Sequence, residues 1–451
     1  MKVHSLLLIL ISVIPGLQGA PTFDADIRPL FKKHCTSCHN PDKRKADLDL
    51  STYAGVLAGS SGGEVVKAGV PDTSWLFESI THVDGVEAMP PKKPKISEDA
   101  IATIREWILG GLVESSGGKS MLREITFDVT AGSSAKPEGE PAMPTGLPEV
   151  ERKISSRSPA VTALAASPWA PLMAVSGWEQ ILFRHAASEE TLGILPFPEG
   201  TIHDLKFSRN GSVLIASGGR GGESGKVVLF DVKSGKRIAE IGDEEDIVLA
   251  ADLSADHRYV ALGGPAKVVK IFDATNGKLL HRIEKHTDWI TALAFAPEGD
   301  QLASADRSGG VHVWEAGTGG IVYTLDEHKV HVADLAWRAD GKMLASGADD
   351  GKMVLWDMKD GWPSKVVDAH KGNTDDRYTR ATGILSLAWS RGGSLITSGR
   401  DKRVRIWKAD GNREWESDEM ESLPITATLL SDSKTGWLGM YDGSVVATGK
   451  K

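Results

Sequence analysis

Ile290-Thr291-Ala292-Leu293-Ala294-Phe295 opens a unit of sequence that closes on Trp314-Glu315. Period-two alternation over a short run reads as a β-strand. Between the two lie a turn with Gly, a second strand ending in Ala-Ser and a tight turn, and the same order recurs on either side. Phe230-Asp231, Phe272-Asp273, Trp314-Glu315 and Trp356-Asp357 follow one another at intervals of 42, and Trp407-Lys408 comes 51 later. The excess of nine matches a polar insert from Gly372 to Arg380 that contains Asp375-Asp376-Arg377-Tyr378. A period near 42 with four short strands per unit predicts propeller blades, each able to bury its faces only against its neighbours. Starts at about Val161, Ile202, Val248, Ile290, Val332, Ile384 and Ile425 give seven blades over residues 148–451. The seventh has room for three strands only. Residues 149–154, just ahead of the first unit, are expected to supply its fourth and close the ring, since an open ring would expose two sheet faces.

Upstream of the repeats, residues 115–147 are rich in Ser, Gly, Pro, Ala and Glu, with one strand-like run at 125–129. This composition predicts a flexible linker. Residues 21–114 show helical spacing at both ends: Ile27, Leu30 and Phe31 near the start, and Ile101, Ile104, Trp107 and Ile108 in a helix opened by Ser97 and stopped by Gly110-Gly111. Residues 1–20 carry Lys2 and His4, an apolar run from Leu6 to Ile11 continuing past Ser12 to Ile14, and then Pro15-Gly16-Leu17-Gln18-Gly19-Ala20. That order reads as a signal peptide cut near residue 19 or 20, and the apolar run is about half the ~20 residues a membrane anchor needs. The expected location is periplasmic or secreted, with no membrane span after signal removal.

The 451 residues, 41% hydrophobic and 25% charged, exclude a disordered or collagen-like chain. A formal net charge of −9 without a run of Lys and Arg argues against nucleic acid as a partner. Only two cysteines are present, and they stand together in Cys35-Thr36-Ser37-Cys38-His39, so no disulfide framework is available elsewhere.

C-x-x-C-H is the attachment pattern for haem c. Two thiols about one helical turn apart can add across two vinyl groups, and the adjoining imidazole then faces the iron. Cys35 and Cys38 fit the thioethers, and His39 fits the proximal metal ligand. A thioredoxin-like pair would need a βαβ setting that residues 24–34 do not supply. A zinc site would crowd His34, His39 and both thiols onto one short helix. A disulfide across two intervening residues would be strained. The sixth ligand decides between electron transfer and ligand binding or turnover. Met89, in Ala88-Met89-Pro90-Pro91, is the expected axial ligand, because the prolines stiffen its loop. His82 is the alternative, and Met121 and Met143 lie in the linker.

Two resemblances follow from these motifs. The repeats resemble WD repeats: the fifth unit has His328, Ser346, Asp350 and Trp356 at the positions of that family's buried hydrogen-bonded tetrad, and the sixth has His370, Ser398, Asp401 and Trp407. The fourth keeps His286, Ser304 and Trp314 with Ser308 in place of Asp, and the first three units carry Phe183, Phe230 and Phe272 in place of Trp. Asp26-Ile27-Arg28-Pro29-Leu30-Phe31, Ala68-Gly69-Val70-Pro71-Asp72-Thr73-Ser74-Trp75-Leu76, Met89-Pro90-Pro91, Ile96-Ser97-Glu98 and Ile104-Arg105-Glu106-Trp107-Ile108 resemble the planctomycete-type cytochrome c domain. That resemblance implies a multidomain protein: a small all-α class I cytochrome c domain, with one covalent haem c and Met89 as axial ligand, followed by an all-β seven-bladed WD-repeat propeller.

The function expected from this is an exported monohaem cytochrome that transfers single electrons to a redox partner protein, with the propeller as a docking platform for a protein partner. Two other readings stand beside it. One is an oxidoreductase with a second active site in the propeller, for which the scattered His185, His203, His281, His312 and His331 offer no cluster. The other is a redox or gas sensor, which requires a displaceable sixth ligand.

Overall fold

The structure is a computed structural model that describes residues 21–116, 132, 135–154, 159–371 and 382–449. The signal segment 1–20, Met121, the strand-like run 125–129 and the insert 372–380 lie outside the described residues. The chain forms two compact units, Met1–Leu122 and Arg123–Lys451. No helix among the described residues is long and apolar enough to cross a membrane.

The first unit is helical. A wide turn, Phe23–Ile27, is capped by the Thr22 hydroxyl, which accepts from the Ala25 N–H, and runs into helix α1, Arg28–His34. Helix α2 spans Tyr53–Ala58, α3 spans Trp75–Thr81 and α4 spans Glu98–Leu109. Ser97 caps α4 as its sequence predicts, its hydroxyl accepting from the Ala100 N–H, and Gly110 follows its last residue. The apolar spacing at the two ends meets in one core. Phe23, Ile27 and Phe31 pack with Ile104, Trp107 and Ile108, all essentially without exposure. Phe31 meets the Trp107 ring edge-on, with centroids 6.4 Å apart. Two bonds to Val113 O, from Phe23 N–H (2.8 Å) and Trp107 Nε1–H (3.0 Å), tie the first helical turn to the chain beyond α4.

Among the described residues, the second unit is a ring of seven antiparallel sheets, six of four strands and the last of three. They occupy residues 164–196, 201–244, 250–283, 290–324, 332–368, 384–416 and 424–449, here blades 1 to 7. Within a strand, alternate residues serve opposite neighbours. Val228 and Phe230 face a core shared with blade 1, while Val227 and Leu229 face one shared with blade 3. Because both faces are covered, such strands read as continuous apolar runs.

Residues 149–154 do not close the ring: they form no strand, and blade 7 keeps three. Lys153 instead pairs with the hairpin turn of blade 1, its N–H donating to Gln180 Oε1 (3.0 Å) and its carbonyl accepting from Gln180 Nε2 (2.7 Å). Ile154 is 88% exposed. Closure comes from side-chain packing and one backbone bond: Trp437 of blade 7 packs with Val161, Leu164 and Met173, and Val161 N–H donates to Met440 O at 3.1 Å. The flexible-linker expectation is shortened as well. Ala142, Met143 and Leu147 join the core between blades 1 and 2, and Thr145 N–H donates to Lys233 O at 2.9 Å. Gly193 makes room for this segment, since a Cβ there would come within 2.2 Å of Leu147 Cδ1.

Candidate functional site

Helix α1 delivers the cysteine motif. Cys35 N–H donates to Phe31 O (2.8 Å), continuing the helical bonding by one residue, and Cys38 and His39 N–H groups both donate to Cys35 O at 3.1 Å. The backbone therefore makes one further turn over 35–39, which sets Cys35, Cys38 and His39 on a single compact segment. Both thiols are free and half-buried. Cys35 packs against the core that holds Phe31 and Trp107, and burial pushes its thiol up to about 11. Asn40 locks the chain beyond the motif: its Nδ2–H donates to Thr36 O (2.7 Å), and its Oδ1 accepts from the N–H groups of Asp42 (3.0 Å) and Lys43 (2.9 Å).

His39 is oriented by its own chain. Its Nδ1–H donates to Lys45 O at 3.1 Å, which places the ring's lone pair on Nε2, the nitrogen left for a metal. Met89 comes from the other side of the sequence, in the loop after α3. Its N–H donates to Ser79 O (2.9 Å), and its carbonyl oxygen lies 3.2 Å from His82 Nε2. Its side chain is half-buried against the same core as Cys35. Of the sequence-predicted residues, Cys35, Cys38, His39 and Met89 thus belong to one unit, in which Cys35 and Met89 pack against one core, whereas Met143 is packed between blades 1 and 2. Two free thiols one turn apart, an imidazole with Nε2 free and a half-buried thioether sulfur are a donor set that fits haem c.

In the propeller, the polar residues singled out from the sequence prove structural. In blade 5, His328 Nε2 and Trp356 Nε1 both meet Ser346 Oγ, at 2.7 and 2.9 Å. Burial pushes His328 down to about 4. All three tetrads differ from expectation. In blade 5, Asp350 accepts from the Lys352 N–H (3.1 Å) and not from His328, whose Nδ1 is buried without a hydrogen-bond partner. In blade 4 the acidic member is Asp306, 2.8 Å from His286 Nδ1, and Ser308 only donates to it. Burial alone would raise Asp306, but the bonds from His286, Ser308 and the Gly310 N–H outweigh it and hold its carboxyl well below the usual range. In blade 6 the hydroxyl is that of Thr397, 2.7 Å from His370 Nε2 and 2.9 Å from Trp407 Nε1, while Ser398 Oγ is buried without a partner.

The inner strands surround a cavity of about 630 Å³. Several of its charged side chains brace neighbouring blades. Lys206 Nζ donates to Asp204 (2.7 Å), to Ala251 O (2.9 Å) and to Leu293 O (2.8 Å), spanning blades 2, 3 and 4. Arg209 donates to Asp252 (2.9 Å) and Phe295 O (2.6 Å). Asp334 accepts from the Leu387 N–H of blade 6 (2.9 Å), and burial raises its carboxyl to about 6. The cross-blade partners leave no local pattern in the sequence, because they lie one or two blade periods away, from 43 to 87 residues.

Comparison with known families agrees with this division. Residues 35–93 match the family model of planctomycete cytochrome c, a span that includes Cys35, Cys38, His39 and Met89. Residues 293–392 match the WD40 domain of anaphase-promoting complex subunit 4, across blades 4 to 6. No curated protein matches the chain. The protein thus combines a region similar to planctomycete cytochrome c, a family that implies haem c, with a seven-bladed WD-repeat propeller.

Proposed function

We propose that the protein is an exported monohaem c-type cytochrome that passes single electrons between partner proteins, with the propeller as the surface that holds a partner. The observation that carries this reading is the His39 ring, tied through Nδ1 to Lys45 O and one turn from both thiols. A ring held in that way presents Nε2 in a fixed direction and cannot turn the other nitrogen to a metal. Cys35 and Cys38 would be the covalent anchors, and His39 Nε2 and the Met89 sulfur would hold the iron. When bound, haem c with His and Met ligands supplies a one-electron couple whose ferrous state is favoured by the thioether.

The chain's own part is orientation and exclusion of water. Phe31, Trp107 and Ile104 make the core behind Cys35 dry, and a dry surround raises the potential of a metal centre by disfavouring its extra positive charge. The Asn40 bonds and the pinned Met89 backbone keep both ligand segments in place. Expected location is the periplasm or outside the cell, where covalent haem attachment takes place, and residues 1–20 have the composition of the export signal.

The test is substitution of the anchors. Cys35→Ala and Cys38→Ala are expected to leave the propeller folded, by its tryptophan fluorescence, and to yield protein without haem that withstands denaturation. Full haem retention through denaturation in either variant would overturn the assignment. Met89→Ala is expected to change the low-spin ferric spectrum; an unchanged spectrum removes Met89 as ligand and weakens the electron-transfer reading.

A further inference from the structure

His82 is the residue after α3, and its backbone lies in the left-handed region, φ 56° and ψ 49°. Glycine is the usual occupant of that position because it has no Cβ to clash there. Histidine tolerates the region better than most residues but gains nothing from it. What the conformation achieves is to aim the imidazole across the following loop, where Nε2 lies 3.2 Å from Met89 O. Met89 is then held at both ends of its own residue: its N–H donates to Ser79 O of α3, and its carbonyl accepts from His82 Nε2–H. In the segment between, Val83, Asp84 and Gly85 are exposed, and two backbone bonds hold it, Val83 N–H to Glu78 O and Val86 N–H to Val83 O, each 3.2 Å. An uncommon backbone conformation kept where its side chain makes one specific bond points to a function for that bond.

We propose that His82 is a positioning residue for the axial sulfur: it fixes the Met89 backbone so that the thioether stays on the iron and exogenous ligands are kept off. This rests on the reading of Met89 as axial ligand. The bond to Ser79 O is made by backbone alone and survives any change at residue 82, so loss of His82 loosens the sulfur without releasing it. One hydrogen bond of this kind shifts an equilibrium by about fivefold to tenfold. A ligand that competes with Met89 should therefore bind tighter by that factor.

The experiment uses the full-length ferric holoprotein and imidazole as probe. His82→Gly removes the side chain and relieves the backbone, so its thermal midpoint is expected to equal or exceed that of the wild type, while imidazole binds about fivefold to tenfold more tightly and the far-red sulfur-to-iron absorption weakens. His82→Asn, which accepts left-handed backbone but is too short to reach Met89 O, should behave as His82→Gly. His82→Gln, whose amide N–H reaches as far as Nε2, should restore imidazole affinity towards that of the wild type. Wild-type imidazole affinity in both His82→Gly and His82→Asn, with Met89→Ala losing the sulfur absorption, overturns this proposal and leaves Met89 as ligand. An unchanged spectrum in Met89→Ala overturns both readings together. Loss of the low-spin spectrum in His82→Gly but not in Met89→Ala makes His82 itself the ligand and likewise overturns the proposal.

Discussion

Lowering the pH from 7 to 5 is expected to destabilise the propeller through two buried imidazoles. His328 and His312 are 3% and 7% exposed, and burial pushes each down to about 4, with His286 adding to the effect at His312. A free imidazole takes up its proton near pH 6.5, so between about 6.5 and 4 the unfolded chain holds more protons than the folded one, and stability falls as the pH falls through that window. Each imidazole accounts for a loss of ~2 kcal/mol between pH 7 and 5. Asp334 acts in the opposite sense. Its carboxyl is raised to about 6 by burial, so the folded state holds the extra proton over the same range and gains ~1 kcal/mol. Asp306 and Asp401, both held low, are neutral in this balance, since a free carboxyl is already ionised at pH 5. The net fall is ~2–3 kcal/mol, and His370 and His203, also lowered by burial, deepen it. Urea unfolding followed by tryptophan fluorescence at the two pH values measures it. His328→Asn removes one imidazole and should shrink the difference between the two pH values by ~2 kcal/mol. Equal pH dependence in the variant and the wild type would refute the assignment of acid sensitivity to this ring.

Two further outcomes test the packing of the blades. Thr397→Val takes the shared oxygen from His370 and Trp407 and leaves two buried polar groups unpaired, a loss of ~1–3 kcal/mol; Ser398→Ala removes a hydroxyl that has no partner and should stay within ~0.5 kcal/mol of the wild type by the same unfolding assay. Asp252→Ala strips Arg209 of its carboxylate and the Phe295 N–H of its acceptor, and is expected to cost ~3–5 kcal/mol, read as a lower urea midpoint; a midpoint unchanged from wild type would mean that this cross-blade brace contributes no stability.

The blade period was legible because the middle strands of each blade bury both faces, which writes continuous apolar runs and a closing aromatic at a fixed interval. The tetrads were legible only in part. Ser304 to Trp314, Ser346 to Trp356 and Thr397 to Trp407 each span ten residues. That spacing is fixed by the register of two paired strands, whereas the distance to the acidic member passes through a turn of variable length. Counting back ten from Trp407 finds Thr397; matching by residue type alone finds Ser398. The haem motif was legible for the opposite reason, since Cys35, Cys38 and His39 are local and their geometry is that of one helical turn. Of the anchors of that motif, Lys45 O is a backbone group and leaves no trace in residue type, whereas Asn40 acts through its side-chain amide.

The closure of the ring shows where a rule of pairing gives way to a rule of packing. A strand needs a face to bury, and residues 149–154 offer Val150 and Ile154 among Glu149, Glu151, Arg152 and Lys153. Added to the outer edge of blade 7, such a segment would contribute backbone bonds and little apolar area. The cores between blades are different in kind. The one between blades 7 and 1 holds Trp437, Val161, Leu164, Met173, Val175 and Leu182, and is continuous with neither of those beside it. Fully burying side chains of this size is worth ~1.5–3 kcal/mol each, against ~1 kcal/mol for a strand hydrogen bond. The ring therefore closes on the inner three strands, and the segment that was free to run elsewhere lies over blade 1, where Gln180 satisfies both backbone groups of Lys153.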